Sequence, residues 1–236
     1  MLSTATKVLV ALFLVSTHKT LPFAYFCRFY YHIIRQFILT NWTYHEKRLN
    51  TFGFTKPNDL FNWVTLKSRV SPLEIDMYLH KSNSTYFLDL DIARTKLVMR
   101  VFQKLFWNCY KNVHGEFKTT GFANMPYAPI ATVQASFKRE LKPFQSFDIK
   151  SKVFAWDEKW LFILSKFVTK GDKLHTIAVT KYVFKKNGRQ TFKPVDMLKD
   201  AGLYSEEVEA QNAKNYPLVS HMASIEDLER VAHELN

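Results

Sequence analysis

The part of this sequence that most restricts its fold lies between residues 130 and 186. Four successive segments, Ile130 to Leu141, Gln145 to Trp156, Lys159 to Lys170 and Lys173 to Lys186, alternate apolar and polar residues with the period of a half-buried strand. In the second, Phe147, Ile149, Ser151, Val153 and Ala155 share a face; in the third, Leu161, Ile163, Ser165 and Phe167 do. The connections are hairpin-sized: Lys142-Pro143 breaks the first, and Asp157-Glu158 and Gly171-Asp172 supply turn residues for the others. Strands joined this way pair antiparallel and leave an apolar face to be covered. A helix predicted upstream can cover it, because Tyr86, Leu90, Ala93, Leu97, Val101 and Leu105 recur at spacings of four and three with no Gly or Pro between them. A short strand at Leu66 to Val70, ended by Ser71-Pro72, and a linker from Gly115 to Pro129 complete an α+β layer with the helix packed on one sheet.

A chain of 236 residues is one large domain, or a medium domain with attached segments. With 47% hydrophobic residues and only 6 Gly and 8 Pro, disorder and low-complexity scaffolds are excluded. Cys27 and Cys109 cannot form a disulfide framework, and neither sits in a metal-binding or redox spacing, so no metal site is expected. The net charge of +12 suits nucleic acid, an anionic membrane or a polyanionic small molecule. It is unevenly spread: residues 196–236 carry −6, which leaves +18 on the first 195. No nucleic-acid recognition motif accompanies the charge, and nucleic acid is not expected as a partner. There is also no P-loop, dinucleotide fingerprint or nucleophile elbow. His114 and His175 stand alone and are assigned no role.

Residues 1–45 contain no acidic side chain and read as an apolar, aromatic membrane-anchor or targeting segment. Val8 to Thr17 would reach roughly 15 Å as a helix, about half of a ~30 Å bilayer core. Extending it to Cys27 would enclose Lys19, at about 2.5 to 3.5 kcal/mol for a mid-membrane Lys. A tilted helix over residues 1–17 followed by an interfacial segment is the better arrangement. That second segment, Leu21 to Tyr44, places nine aromatics beside Arg28, His32 and Arg35, which suits the headgroup layer. The implied location is a membrane, the endoplasmic reticulum in preference to the mitochondrion. Residues 195–236 form an acidic, helical tail without a chemical motif, by default a docking arm or a flexible terminus.

The densest polar constellation precedes and enters the long helix: Glu74, Asp76, His80, Ser82, Asn83, Tyr86, Asp89, Asp91 and Arg94. Residue by residue these have ordinary structural uses. Ser82 or Asn83 caps the helix, Asp89 and Asp91 favour its N-terminal end, and Arg94 pairs with Asp91 three residues away. Together they also place free first-turn amides beside a loop holding Asp76 and His80, and such amides can stabilise an oxyanion.

The order Asp76-x-x-Leu79-His80-x-Ser82-Asn83-x-x-Tyr86, followed by Asp91 and Ala93-Arg94, resembles the hotdog-fold thioesterases of the 4-hydroxybenzoyl-CoA thioesterase type. Their pattern runs Asp-x-x-Gly-His-x-Asn-Asn-x-x-Tyr, then an acid and an Ala-Arg pair. Leu79 replaces the Gly and Ser82 the first Asn. The Leu form is similar to a membrane-anchored THEM-type and fungal thioesterase-like branch, as are Arg69-Val70-Ser71-Pro72, the strand end from Lys138-Arg139 to Leu141-Lys142-Pro143-Phe144, and Ala155-Trp156-Asp157-Glu158. The resemblance covers about residues 64–194. It implies a hotdog fold, an antiparallel sheet wrapped around a long central helix, paired into a homodimer. It implies an acyl-CoA or other acyl thioester as substrate, with no cofactor beyond that CoA thioester. On this likeness Asp76 is the general base or nucleophile, His80 and Asn83 complete the catalytic set, amides near Asn83 polarise the carbonyl, and Asp91 is the alternative carboxylate. A non-catalytic acyl- or lipid-binding hotdog protein is the competing function.

Overall fold

The computed structural model describes residues 3–40 and 54–224. The alternating segments form the strands expected of them: β2 (Ile130–Phe137), β3 (Ser146–Trp156), β4 (Trp160–Thr169) and β5 (Lys173–Lys186). With β1 (Val64–Arg69) they make an antiparallel sheet in the order β1-β3-β4-β5-β2, and a short β6 (Gln190–Phe192) pairs with β5. Ile149 faces Phe167 across the ladder, and Phe167 pairs Thr176 in turn. Register shifts at Val153/Ala155 and Phe167/Val168 mark bulges, the device by which a sheet bends around what it covers. The β4–β5 turn needs left-handed backbone at both Gly171 and Asp172, which the sequence supplies there.

The sheet covers a 19-residue helix, α3 (Asn83–Val101). Its predicted stripe is the buried one: Tyr86, Leu90, Ala93, Leu97 and Val101 are all in the core. The helical path breaks at Phe102 before α4 (Gln103–Lys111), so Leu105 belongs to a second helix, though it too is buried. Around the first half of α3, Tyr86, Leu90 and Ala93 pack with Val70, Leu141, Phe147, Ile149, Phe167 and Ala178. This smaller core is the floor beneath the polar constellation.

The N-terminal segment differs from its expectation. No single helix among the described residues is long and apolar enough to cross a membrane; Thr4–Thr20 and Ala24–Ile38 pass only as a pair, bent by 54°. An apolar helix, α1 (Thr4–Thr17), does form, with Val8 to Val15 largely exposed. The segment after it is not an independent interfacial element. Helix α2 (Ala24–Ile33) packs on α3, and the π-helical turn Ile34–Ile38 that follows inserts Phe37 into the main core, fully buried and stacked on Trp107 at 4.1 Å. Gln103 donates to the Gln36 carbonyl and, at 2.9 Å, to the Thr40 hydroxyl. The aromatics that suggested a headgroup layer therefore divide: Phe37 is core, while Phe26, Tyr30 and Tyr31 remain exposed. Trp42 and Tyr44, also counted in that expectation, lie outside the described residues.

The acidic tail forms α5 (Pro194–Ala201) and α6 (Glu206–Asn215). Met197, Leu198, Ala201, Leu203 and Val208 are buried in the same core as Phe37. Asn212 receives the Trp156 amide at 2.8 Å and donates to its carbonyl at 3.1 Å. Ile225, Leu228 and Val231 lie outside the described residues.

If the segment through Phe37 is part of the domain, Phe37→Ala costs about 3–5 kcal/mol, as for other large aromatic-to-Ala core truncations. Chemical denaturation of the detergent-solubilised full chain checks this, and an unchanged midpoint would contradict the packing described.

Candidate functional site

The turn that carries Asp76 and His80 is tied by its own backbone. The Asp76 amide donates to the His80 carbonyl and the Leu79 amide to the Asp76 carbonyl, each at 3.0 Å. The Asp76 carboxylate receives the Tyr78 amide at 3.0 Å on Oδ1, and its Oδ2 lies 3.4 Å from His80 Nδ1. The Tyr78 ring lies over that imidazole, centroids 5.9 Å apart. Closing so tight a turn puts Leu79 at φ 61°, in the left-handed region, with its side chain three-quarters exposed. Leu79 thus holds, at an energetic cost, a backbone conformation that Gly adopts freely.

One residue pair later the chain enters α3. Ser82 is the N-cap residue, but its hydroxyl bonds the Ser84 hydroxyl at 3.1 Å and makes no cap bond to an amide. The Ser82 amide is anchored to the Glu74 carbonyl at 2.7 Å, which fixes where the helix starts. His80, Asn83 and Tyr86 line a cavity of about 240 Å³ with Phe137, Lys138, Arg139 and Glu140. Burial pushes the Tyr86 phenol up to about 12, against hydrogen bonds to Thr176 and Leu141 that act the other way; nearby Asp76 and Asp89 add to the rise. Tyr86 is therefore a neutral wall of the cavity, packed on Phe137 and Phe167.

Of the residues singled out from the sequence, the structure gathers Asp76, His80 and Asn83 at one turn, with His80 and Asn83 on the cavity and Asp76 adjoining His80. Asp91 is not among them. It accepts from the Tyr25 hydroxyl of α2 on one oxygen and from Arg94 at 3.3 Å on the other, while Arg94 also donates to Thr180 at 2.7 Å. His175 is a satisfied core residue between Thr169 and the Glu140 carbonyl, and His114 rests on Asp200. A larger cavity of about 680 Å³ lies away from this turn, and several groups along it are paired, Asp200 with Asn108 and His114, and Lys186 with Glu116.

What sequence reasoning missed is the ionic cluster beneath the turn. Asp89, placed by the sequence reading near a helix dipole, is fully buried. Its Oδ2 is 3.0 Å from both Lys19 Nζ and Lys81 Nζ, and its Oδ1 is 3.0 Å from Arg28. Glu74, also buried, meets Lys19 at 2.7 Å and Lys81 at 3.0 Å. Burial alone would raise the Asp89 carboxyl, but Lys19, Lys81 and Arg28 outweigh it and hold the group at about 2. The signal was present: Asp89 falls within the buried stripe of α3, where a carboxylate needs a cation, and Lys19 and Arg28 are cations in an N-terminal segment with no acidic side chain of its own.

An antiparallel sheet wrapped around a long central helix is the hotdog architecture. The chain belongs to the thioesterase-like superfamily, whose model matches residues 70–202. It is similar to a probable thioesterase of Saccharomyces cerevisiae, 39% identical over 96% of this chain and 94% of that protein. It is also similar to the thioesterase lcsJ of Purpureocillium lilacinum, 41% identical over 61% of this chain and 49% of that one. Among solved structures, the YbaW probable thioesterase of Escherichia coli aligns with 59% of this chain and 96% of its own at 10% identity and a TM-score of 0.48. A Staphylococcus aureus protein solved in complex with CoA aligns with 67% of this chain and 86% of its own at 12% identity and a TM-score of 0.43.

Leu79→Gly relieves the left-handed backbone while giving up little buried surface, and is expected to raise stability by about 0.5–1 kcal/mol in thermal unfolding. The depressed Asp89 carboxyl makes a second prediction. Its folded value lies below the ordinary 3.8, so its contribution is fully present above about pH 4 and is lost as the pH falls toward 2. Asp89→Asn should lose about 3–5 kcal/mol at neutral pH, because it strands buried cations, and should unfold less steeply with acid over that window.

Proposed function

We propose that the protein hydrolyses fatty acyl thioesters, acyl-CoA in the first instance, at a membrane surface. The observation that carries this reading is the joining of Asp76, His80 and the start of α3 in one hydrogen-bonded turn beside a cavity. Asp76 acts as general base or nucleophile, with His80 beside it at 3.4 Å. As base it takes a proton from water; the hydroxide adds to the thioester carbon, the C–S bond breaks, and the proton returns to the departing thiolate. First-turn amides near Asn83, which the Ser82 side chain does not cap, donate to the carbonyl oxygen as it gains charge. Lys138 and Arg139 line the same cavity and suit the CoA phosphates.

The exposed apolar helix α1 supports membrane association, and the endoplasmic reticulum is the proposed location. A homodimer is proposed through β2, an edge strand of the main sheet with Ile130 and Phe137 partly exposed. A second reading, acyl binding without cleavage, is favoured by one feature: Asp76 itself does not line the cavity, whose 240 Å³ is below the roughly 300–1,000 Å³ usual for ligand pockets.

Assays of the full chain against acyl-CoAs of increasing length separate the two. Hydrolysis with at least one chain length is expected, and Asp76→Asn should lower kcat by about 10²–10⁴-fold, the range for a general base. Binding with no hydrolysis, or turnover unaffected by Asp76→Asn, would establish the second reading.

A further inference from the structure

We propose that Lys19, which lies outside the family-matched residues 70–202, is a positioning residue for the Asp76–Asn83 turn, so that the docked N-terminal segment is a structural part of the site and not only a tether. The inference rests on the reading of that turn as the site.

Glu74 is the fixed point from which the turn hangs. Its Oε2 receives the Ser71 amide at 2.9 Å, its Oε1 meets Lys81 at 3.0 Å, and its carbonyl receives the Ser82 amide at 2.7 Å. It therefore contacts the chain both before and after the turn. Ile75 and Lys81 form an antiparallel bridge above it, and the Asp76–His80 hydrogen bond is the next rung. Lys81 is held in turn through its amide, which donates to the Leu141 carbonyl at 2.8 Å. Movement of the Glu74 carboxylate is thus transmitted to Asp76, His80 and the first turn of α3.

Lys19 fixes that carboxylate. Its ammonium, almost fully buried, lies 2.7 Å from Glu74 Oε2, 3.0 Å from Asp89 Oδ2 and 3.2 Å from the Ser68 hydroxyl. Glu74 belongs to the loop, Asp89 to the central helix and Ser68 to the end of β1, so one cation ties three elements. Arg28 reaches Asp89 but is not paired with Glu74, and cannot substitute for it. Without Lys19, Glu74 and Asp89 compete for Lys81 as their shared cation, and a buried carboxylate left underpaired draws in water or moves. Thr20 anchors the same stretch to the loop through Ser71 at 2.9 Å.

The test uses the full chain in detergent, with Lys19→Met, Lys19→Arg and Lys19→Met combined with Asp89→Asn. Hydrogen exchange at the Asp76, Leu79 and Ser82 amides is expected to quicken by about tenfold or more in Lys19→Met, while exchange in β3 to β5 changes less, as for a local opening. If the turn reading holds, kcat falls by a similar factor with KM little changed. Lys19→Arg should restore both readouts to within about threefold, and the Asp89→Asn partner change, which removes the competing carboxylate, should restore turn protection in part. Unchanged protection of the three amides, or a uniform rise across the whole sheet, would overturn the proposal. Should Lys19→Met not fold, the Lys19→Arg and double variants carry the same comparison. Exchange is read without substrate, so a chain that hydrolyses nothing would refute the proposed activity while leaving the role of Lys19 to be decided by its own measurement.

Discussion

The arrangement of this protein depends on a cluster of five charged side chains, four buried and Arg28 partly exposed, between three parts of the chain. Lys19 and Arg28 come from the N-terminal segment, Glu74 and Lys81 flank the polar turn, and Asp89 lies on the central helix. Burying such groups is costly, and a well-packed apolar cluster would in general be as stable. An ionic cluster adds specificity of place: a hydrophobic contact tolerates sliding, whereas Lys19 must lie within hydrogen-bond distance of two carboxylates at once. The loop, the helix and the N-terminal segment are thereby held in one mutual register, and the turn with Asp76 and His80 is built on it.

Much of the scaffold was legible because its information is periodic. The strands announce themselves through alternation, as at Phe147, Ile149, Ser151 and Val153, and the central helix through the spacing of Tyr86, Leu90, Ala93 and Leu97. The family motif likewise located the turn, and the structure brings Asp76, His80 and Asn83 together there. Periodicity says nothing about which distant residue answers a buried charge. Lys19 read as an obstacle to membrane insertion because its partners lie 55 and 70 residues away, and Phe37 read as interfacial because nothing local distinguishes it from Phe26. Asp91 and Asp89 are two residues apart and both acidic. Only packing separates the one exposed enough to meet Tyr25 and Arg94 from the one sealed beneath the turn.

Leu79 illustrates how a turn can hold a left-handed position without Gly. A Gly in such a pattern is usually read as room for a ligand, yet here the position is left-handed and its side chain points largely to solvent. The Asp76–His80 and Leu79–Asp76 backbone bonds, and the Glu74 anchor behind them, hold the turn closed against the cost of that conformation. The requirement is on φ, and it can be met by a residue other than Gly when neighbouring bonds over-determine the backbone.

The same cluster bears on how α1 is joined to the loop that carries the turn. Helix α1 is apolar on every side from Val8 to Val15 and largely exposed there. A flexible joint after such a helix would let it move independently of the domain. Here the joint is rigid: Thr17 is buried, Lys19 is locked to Glu74 and Asp89, Thr20 bonds Ser71, and α1 itself lies against the Pro72–Glu74 turn. Any reorientation of α1 is therefore passed to the loop within two residues of its end. The exposed Leu73, Met77, Tyr78 and Leu79 of that loop are carried along with it, so the position of α1 and that of the Asp76 turn are one variable.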